Sequence, residues 1–248
     1  MAFSDLLYSS TALFLDFDGT LVDIAEQPHH VAVPNGLVET LSMLDDYLGG
    51  AVAVISGRPI SQIDDYLHPL RLPAAGVHGA ERRDASGELT LLSAPILDLV
   101  EQAARKLASQ HSGLLVESKR GSLALHYRQA PELEDRCLSA MRGAVEQSPG
   151  VTLLQGKMVV EAKPSGATKG GAIEAFLREA PFAGRMPLFV GDDITDEVGF
   201  ASVQRVGGLG VKVGEGASVA WHRIATPELF RQQLQDAVAA RTGKTAAK

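Results

Sequence analysis

The sequence predicts an α/β protein, a parallel sheet with helices between its strands, interrupted by a smaller inserted α+β unit. Ala12–Leu15 and Ala51–Ile55 are short, continuous apolar runs of strand length, which suits strands buried on both faces of a parallel sheet. Segments with apolar residues at helical spacing alternate with those runs, the order that right-handed crossovers connect. The middle of the chain then switches to paired strand-like segments around turns, an antiparallel signature.

Composition bounds the rest. The 248 residues are 45% hydrophobic and 21% charged, an ordinary globular balance that excludes a disordered or collagen-like chain. A formal charge of −7 argues against a nucleic-acid partner, which usually meets a basic face. The longest apolar runs fall far short of the roughly 20 residues that cross a bilayer, so no membrane partner is expected. The first residues carry neither the basic nor the apolar segment of a signal peptide, and the single cysteine fits a reducing compartment; the expected location is the cytoplasm. Cys137 shares a helical stripe with Leu133, Met141 and Val145 and reads as core.

In chain order, a strand over Ala12–Asp16 leads into a loop to Val33. Pro34 suits a first helical turn, Leu37, Leu41, Leu44 and Leu48 repeat at helical spacing, and Gly49-Gly50 ends that helix. After the strand Ala51–Ile55, Ser56-Gly57-Arg58 makes a turn and Pro59 opens a short helix to about Leu67, followed by a strand near Ala74–Val77. Asp84–Thr90 holds the turn signal Ser86-Gly87. A helix about Pro95–Gln110 precedes the strands Leu114–Glu117 and Ser122–Arg128. A helix about Pro131–Gln147 precedes Val151–Leu154 and Met158–Ala162, which flank Gln155-Gly156. Beyond Pro164 come a helix from Thr168, the strand Leu188–Val190, a short helix, the strand Gly210–Val213, a closing helix about Glu228–Ala240 and a frayed polar tail, Thr242–Lys248. The expected division is therefore a discontinuous core, residues 1–81 and 165–248, around an inserted unit, 82–164.

Parallel sheets bind ligands beyond the carboxyl ends of their strands. There the first strand offers Asp16-Phe17-Asp18-Gly19-Thr20, and the later one Gly191-Asp192-Asp193 with Asp196. So many carboxylates at one edge repel unless a cation or proton is shared, and an all-oxygen set without nearby Cys or His favours magnesium. Ser56 at the end of the second strand, and Lys169 in the first turn of a helix after Thr168, add the hydroxyl, N–H groups and positive charge that a phosphate needs.

With Ser56-Gly57-Arg58 and Lys169 between the two acidic signatures, the chain resembles the haloacid dehalogenase-type phosphatases. Within them it is most similar to the trehalose-phosphate phosphatases, on Ser56-Gly57-Arg58-Pro59, Val77-His78-Gly79-Ala80-Glu81, Glu117-Ser118-Lys119, His126-Tyr127-Arg128, Gly156-Lys157 with Glu161, and Gly191-Asp192-Asp193-Ile194-Thr195-Asp196-Glu197. The resemblance implies a Rossmann-like haloacid dehalogenase core with an inserted α+β cap domain. It also implies a magnesium-dependent phosphatase acting on a small sugar phosphate. Asp16 is then the nucleophile and Asp18 the acid and base. The ion is held by Asp16, the Asp18 backbone carbonyl and Asp192, while Asp193 and Asp196 cap a helix, stand behind those ligands or touch the ion themselves. Ser56, Gly57, Arg58 and Lys169 are expected at the phosphate end of the substrate, and Glu117, Lys119 and Glu161 at its sugar.

Plainer readings stand beside these. In these, Arg58 braces its turn by pairing with an acid, as Arg82 and Arg83 are expected to do; His78 and His126 read as structural; Trp221 reads as packing; and Glu117, Lys119 and Glu161 form a solvated sheet face. A phosphomutase, a phosphatase of another sugar phosphate such as sucrose phosphate, and a non-catalytic sensor are the rival activities. Oligomeric state is not readable from these residues.

Overall fold

The computed structural model describes residues 3–25 and 30–243. Part of the expected loop to Val33, and the tail past Gly243, lie outside them. Contacts divide the chain into two units, Met1–Thr90 with Thr168–Lys248, and Leu91–Ala167.

The first unit contains β1 (Thr11–Leu15), α1 (Leu37–Tyr47), β2 (Val52–Ile55), α2 (Ile60–Leu67), β3 (Ala74–Gly76), β4 (Glu81–Arg83) and β5 (Leu89–Leu91), which straddles the boundary between the units. The second contains α3 (Asp98–Ala108), β6 (Leu115–Lys119), β7 (Ser122–His126), α4 (Glu134–Val145), β8 (Val151–Gly156) and β9 (Val159–Pro164). The chain then returns to the first with α5 (Lys169–Phe176), β10 (Met186–Gly191), α6 (Glu197–Arg205), β11 (Leu209–Val213), β12 (His222–Ile224) and α7 (Pro227–Thr242).

The large sheet has the order β12-β11-β10-β1-β2-β3-β4-β5, parallel from β12 to β3. Every residue of β1 and β2 is buried, as their unbroken apolar runs predict. Phe14 on β1 stacks on Phe182 and meets Phe176 of α5 in the core. The topology fixes the site: β1 lies between β2 and β10, so the chain steps one way from β1 to β2 and β3 and later returns on the other side through β10 and β11. That reversal opens a crevice past the carboxyl ends of β1 and β10, where Asp16 and Asp192 begin.

In the second unit the antiparallel sheet β6-β7-β9-β8 turns Leu123, Leu125, Val160 and Ala162 towards Val100 and Ala104 of α3 and Cys137 and Met141 of α4. Cys137 is core, as expected.

Several expectations are corrected. The inserted unit does not begin at 82: Glu81–Arg83 pairs antiparallel with β3 and β5 follows it at the sheet edge, so residues 82–90 extend the large sheet. At the far end the unit runs on to Ala167, because the amide of Ala167 bonds back to the carbonyl of Pro164. The turn between β8 and β9 is at Lys157-Met158, not Gln155-Gly156, since Gly156 pairs with Val159 and Met158 takes the left-handed φ of 63°. Edge strand β12 lacks an apolar pattern and was not anticipated. Trp221, just before it, is 67% exposed and does not serve as packing; its amide donates to the Gln204 side chain on α6.

Candidate active site

Asp16 follows β1 and its backbone amide continues the parallel ladder to Val190. Its carboxylate is buried: Oδ1 accepts from Lys169 Nζ at 2.6 Å and Oδ2 from Thr20 Oγ1 at 3.3 Å. The chain then folds tightly, with the amides of Leu21 and Val22 on the Phe17 carbonyl and that of Gly19 on the Val22 carbonyl. Gly19 adopts φ +82°, and a Cβ there would lie 2.2 Å from Asp192 Oδ2. A bare backbone is what lets the Asp192 carboxylate sit against the β1 turn.

Lys169 is the first residue of α5, whose end is fixed by Thr168 Oγ1 accepting the Gly171 amide at 3.0 Å. Its ammonium lies between Asp16 Oδ1 and Asp196 Oδ1, at 2.6 and 2.7 Å, and is 4% exposed. Asp196 in turn spends Oδ2 on the amides of Asp192, at 3.0 Å, and Asp193, at 2.9 Å, while Asp193 returns a bond to the Asp196 amide, a reciprocal cap on the turn before α6. A Cβ on Gly191 would stand 2.4 Å from Asp196 Cγ. Gly19 and Gly191 thus each mark an approach of backbone to carboxylate.

One oxygen each from Asp16, Asp192 and Asp196 lies within 4.8 Å of the others. Burial and repulsion from Asp196 and Asp192 raise the Asp16 pKa well above the carboxylate range, against the pull of Lys169. Burial and Asp196 likewise push Asp192 up to about 7. Burial alone would lower the Lys169 pKa, but its two acidic partners outweigh that and raise it. Three carboxylates against one ammonium leave the cluster short of positive charge, and all-oxygen donors fit a hard metal cation.

The structure brings Asp16, Lys169, Asp192, Asp193 and Asp196 together at one sheet edge. Asp18 faces elsewhere: its carboxylate oxygens accept from Arg58 Nε at 2.6 Å and Nη2 at 2.7 Å. Arg58, expected at the substrate, is 8% exposed, lies over the Phe17 and Tyr66 rings and also reaches Gln62 Oε1. Ser56 ends β2 and its hydroxyl accepts the Arg58 amide at 3.1 Å. Gly57 lies beneath the His78 ring, where a Cβ would be 2.7 Å from its Cε1 and Nε2. Arg82 pairs with Glu179 and Arg83 with Asp64, both as expected.

Two lysines escaped the sequence reading. Lys212, buried on β11, donates to the carbonyl of Asp192, and Lys163 on β9 donates to the carbonyl of Ala167. Lys212 could have been noticed as a charge inside a predicted strand at the same sheet edge.

In the inserted unit, Glu117 and Lys119 share one face of β6, and Glu161 stands on β9 with Ala124 of β7 between it and Glu117. Lys119 Nζ is 3.8 Å from Glu117 Oε2 and 3.9 Å from Glu161 Oε2. The surface is a linked acid–base array, not a solvated face.

A family model, trehalose-phosphatase, matches residues 14–231, from within β1 to within α7. The chain belongs to the trehalose-phosphatase family. The match takes in both acidic signatures, Ser56 and Lys169. A relative from Escherichia coli (strain K12), "Trehalose-6-phosphate phosphatase", is 44% identical over 227 residues, 90% of this chain and 85% of that protein. A "Probable trehalose-phosphate phosphatase" of Sinorhizobium fredii is 43% identical over 225 residues, 89% of this chain and 84% of its own. Among solved structures, the C-terminal domain of the C. albicans trehalose-6-phosphate phosphatase superposes with a TM-score of 0.80 at 22% identity, covering 94% of this chain and 92% of that one. At that identity it supports the fold alone, an α/β fold with a parallel-sheet core.

Proposed function

We infer that the chain is a phosphoric monoester hydrolase that converts trehalose 6-phosphate to trehalose and inorganic phosphate. The observation that carries the substrate is the 44% identity, over 90% of the chain, to a protein named for that reaction. Support for the chemistry comes from the buried carboxylate of Asp16, held by Lys169 at the sheet's crevice.

In this reading Asp16 attacks phosphorus, forming an aspartyl-phosphate as the bond to the sugar oxygen breaks. Asp18, entering this step protonated, gives that proton to the departing oxygen, then takes one from the water that hydrolyses the intermediate. Arg58, through its two bonds to Asp18, sets where that carboxylate stands, and its role moves from the expected substrate contact to positioning. Lys169 and the Ser56 hydroxyl hold the phosphoryl oxygens. Asp16 and Asp192, with the Asp18 backbone carbonyl that the family resemblance adds, would hold a magnesium ion, which supplies charge stabilisation to those oxygens. Asp196, with both oxygens committed to Lys169 and two amides, orients the cluster.

Glu117, Lys119 and Glu161 bind sugar hydroxyls in this reading, since acids accept and the lysine donates. The acidic balance and the unpaired, buried Cys137 support a cytoplasmic location; no helix among the described residues is long and apolar enough to cross a membrane. The test is phosphate release across a panel of sugar phosphates, with and without magnesium. Trehalose 6-phosphate is expected to be hydrolysed best. Faster hydrolysis of sucrose phosphate, or phosphate transfer to a second sugar position without release, would instead support the rivals.

A further inference from the structure

Three residues of β7, Ser122, Ala124 and His126, point to the same face of the inserted sheet as Glu117, Lys119 and Glu161. Ala124 lies opposite Glu117 on one side and opposite Glu161 on the other. Its diagonal neighbours each take one glutamate. His126 Nε2 lies 2.9 Å from Glu117 Oε2, and Ser122 Oγ donates to Glu161 Oε1 at 2.9 Å. An ionised carboxylate only accepts, so Nε2 is the nitrogen that carries the proton towards Glu117. Lys119 stays at 3.8 and 3.9 Å from the pair, beyond hydrogen-bond range of either, and joins them by charge.

We propose that His126 and Ser122 are positioning residues for sugar recognition: from either side of Ala124 on the central strand, they fix the carboxylates of Glu117 and Glu161 at a set spacing. The inference rests on the reading that those glutamates and Lys119 bind the sugar, and deepens it. A glutamate carries three rotatable bonds, and ordering it at the moment of binding costs affinity; a bond that orders it beforehand removes that cost. Each clamp bonds one oxygen of its carboxylate and so fixes the plane of both. The environment agrees. Burial would raise the Glu117 pKa, but the His126 bond and the Lys119 charge outweigh it and lower it, keeping the group an acceptor. Ser122 is 1% exposed and Ala124 fully buried, so the clamp has a packed floor. Trehalose, two glucoses about a near-symmetric linkage, presents hydroxyls that a fixed pair of acceptors can discriminate by spacing.

The experiment compares kcat/KM for trehalose 6-phosphate with that for p-nitrophenyl phosphate and follows their ratio. His126→Ala and Ser122→Ala should each lower the ratio about tenfold, mainly through KM for the sugar ester, the scale of one lost hydrogen bond to a charged group. His126→Gln and Ser122→Thr, which keep a donor, should restore it to within about threefold. His126→Asn keeps polarity but cannot reach Glu117 and should behave as His126→Ala, which keeps the test decisive if the alanine variant fails to fold. Combined with Glu117→Ala, the His126→Ala change should have no further effect, and likewise Ser122→Ala on Glu161→Ala. Unchanged ratios in the His126 and Ser122 variants, or losses that simply multiply in the double variants, overturn the clamp while Glu117→Ala and Glu161→Ala still lower the ratio. If those two glutamate variants themselves leave the ratio unchanged, the sugar-binding reading falls and the clamp with it.

Discussion

Arg58 closes on Asp18 with one edge of its guanidinium, Nε at 2.6 Å and Nη2 at 2.7 Å, while its central carbon lies over Tyr66, 5.2 Å from the ring centroid. A planar fork fitted to a carboxylate and stacked on a ring is an arrangement lysine cannot copy. Arg58→Lys should therefore leave the Asp18 carboxyl without a fixed orientation. Because a sugar alkoxide needs protonation far more than a phenolate does, kcat on trehalose 6-phosphate should drop roughly 10- to 100-fold, part of the roughly 10²- to 10⁴-fold that general acid catalysis supplies, and by less on p-nitrophenyl phosphate. Equal losses on both esters would remove the positioning role.

Asp16→Asn should lower phosphate release at least about a thousandfold, since an amide cannot attack phosphorus. A circular dichroism melt close to the parent's would show that the fold is kept. Activity within tenfold of the parent would exclude Asp16 as nucleophile.

Lys169→Met leaves Asp16 and Asp196 buried without their shared cation. Removing one member of a buried ion pair costs about 3–5 kcal/mol, so denaturant unfolding should shift by about that much, and phosphatase activity should be lost. Acid or added divalent cation should recover part of the stability but none of the activity; a stability loss below about 1 kcal/mol would mean the two carboxylates do not depend on this ammonium.

Asp192 rises from 3.8 to about 7 in the folded, cation-free chain, so the folded state holds a proton that the unfolded state has already released between those values. Folding is thus favoured by proton uptake at low pH, and this contribution is lost as pH climbs towards 7. In EDTA the melting temperature should fall across that window, and Asp192→Asn should flatten the fall. Magnesium, competing with the same proton, should stabilise most above pH 7 and little near pH 5. A magnesium effect independent of pH would contradict the site.

Gly19→Ala puts a methyl group 2.2 Å from Asp192 Oδ2 at a backbone φ of +82°. Both the strain and the collision move Asp192, so the magnesium concentration for half-maximal activity should rise tenfold or more. Gly87→Ala, at φ +89° with no atom within 4 Å of its Cβ, shares the strain without the collision. It should cost stability alone, seen as a lower melting temperature at an unchanged magnesium requirement.

The sequence by itself determined the elements that a local pattern encodes. The apolar runs Ala12–Leu15 and Ala51–Ile55, of strand length and bounded by turn signals, read as strands buried on both faces, the leucines at 37, 41 and 44 as a helix side, and the acidic signatures as the ends of two such strands. Because parallel strands deliver their following residues to one edge, it also determined that Asp16, Ser56 and Asp192 share a crevice. What it left open depends on partners distant in sequence. Whether Arg58 met a ligand or Asp18, 40 residues away, was set by the β1 and β2 turns lying side by side. Asp196 was ambiguous because a cap and a cluster member have the same local sequence, and the close approach at Gly191 made it both. The short strands β4, β5 and β12, at the two ends of the large sheet, were invisible as its members, since three-residue strands there need no apolar alternation and owe their existence to the neighbour they pair with. Ser122 and His126 reach their glutamates only once β6, β7 and β9 are aligned in register, which no residue in any one strand specifies alone.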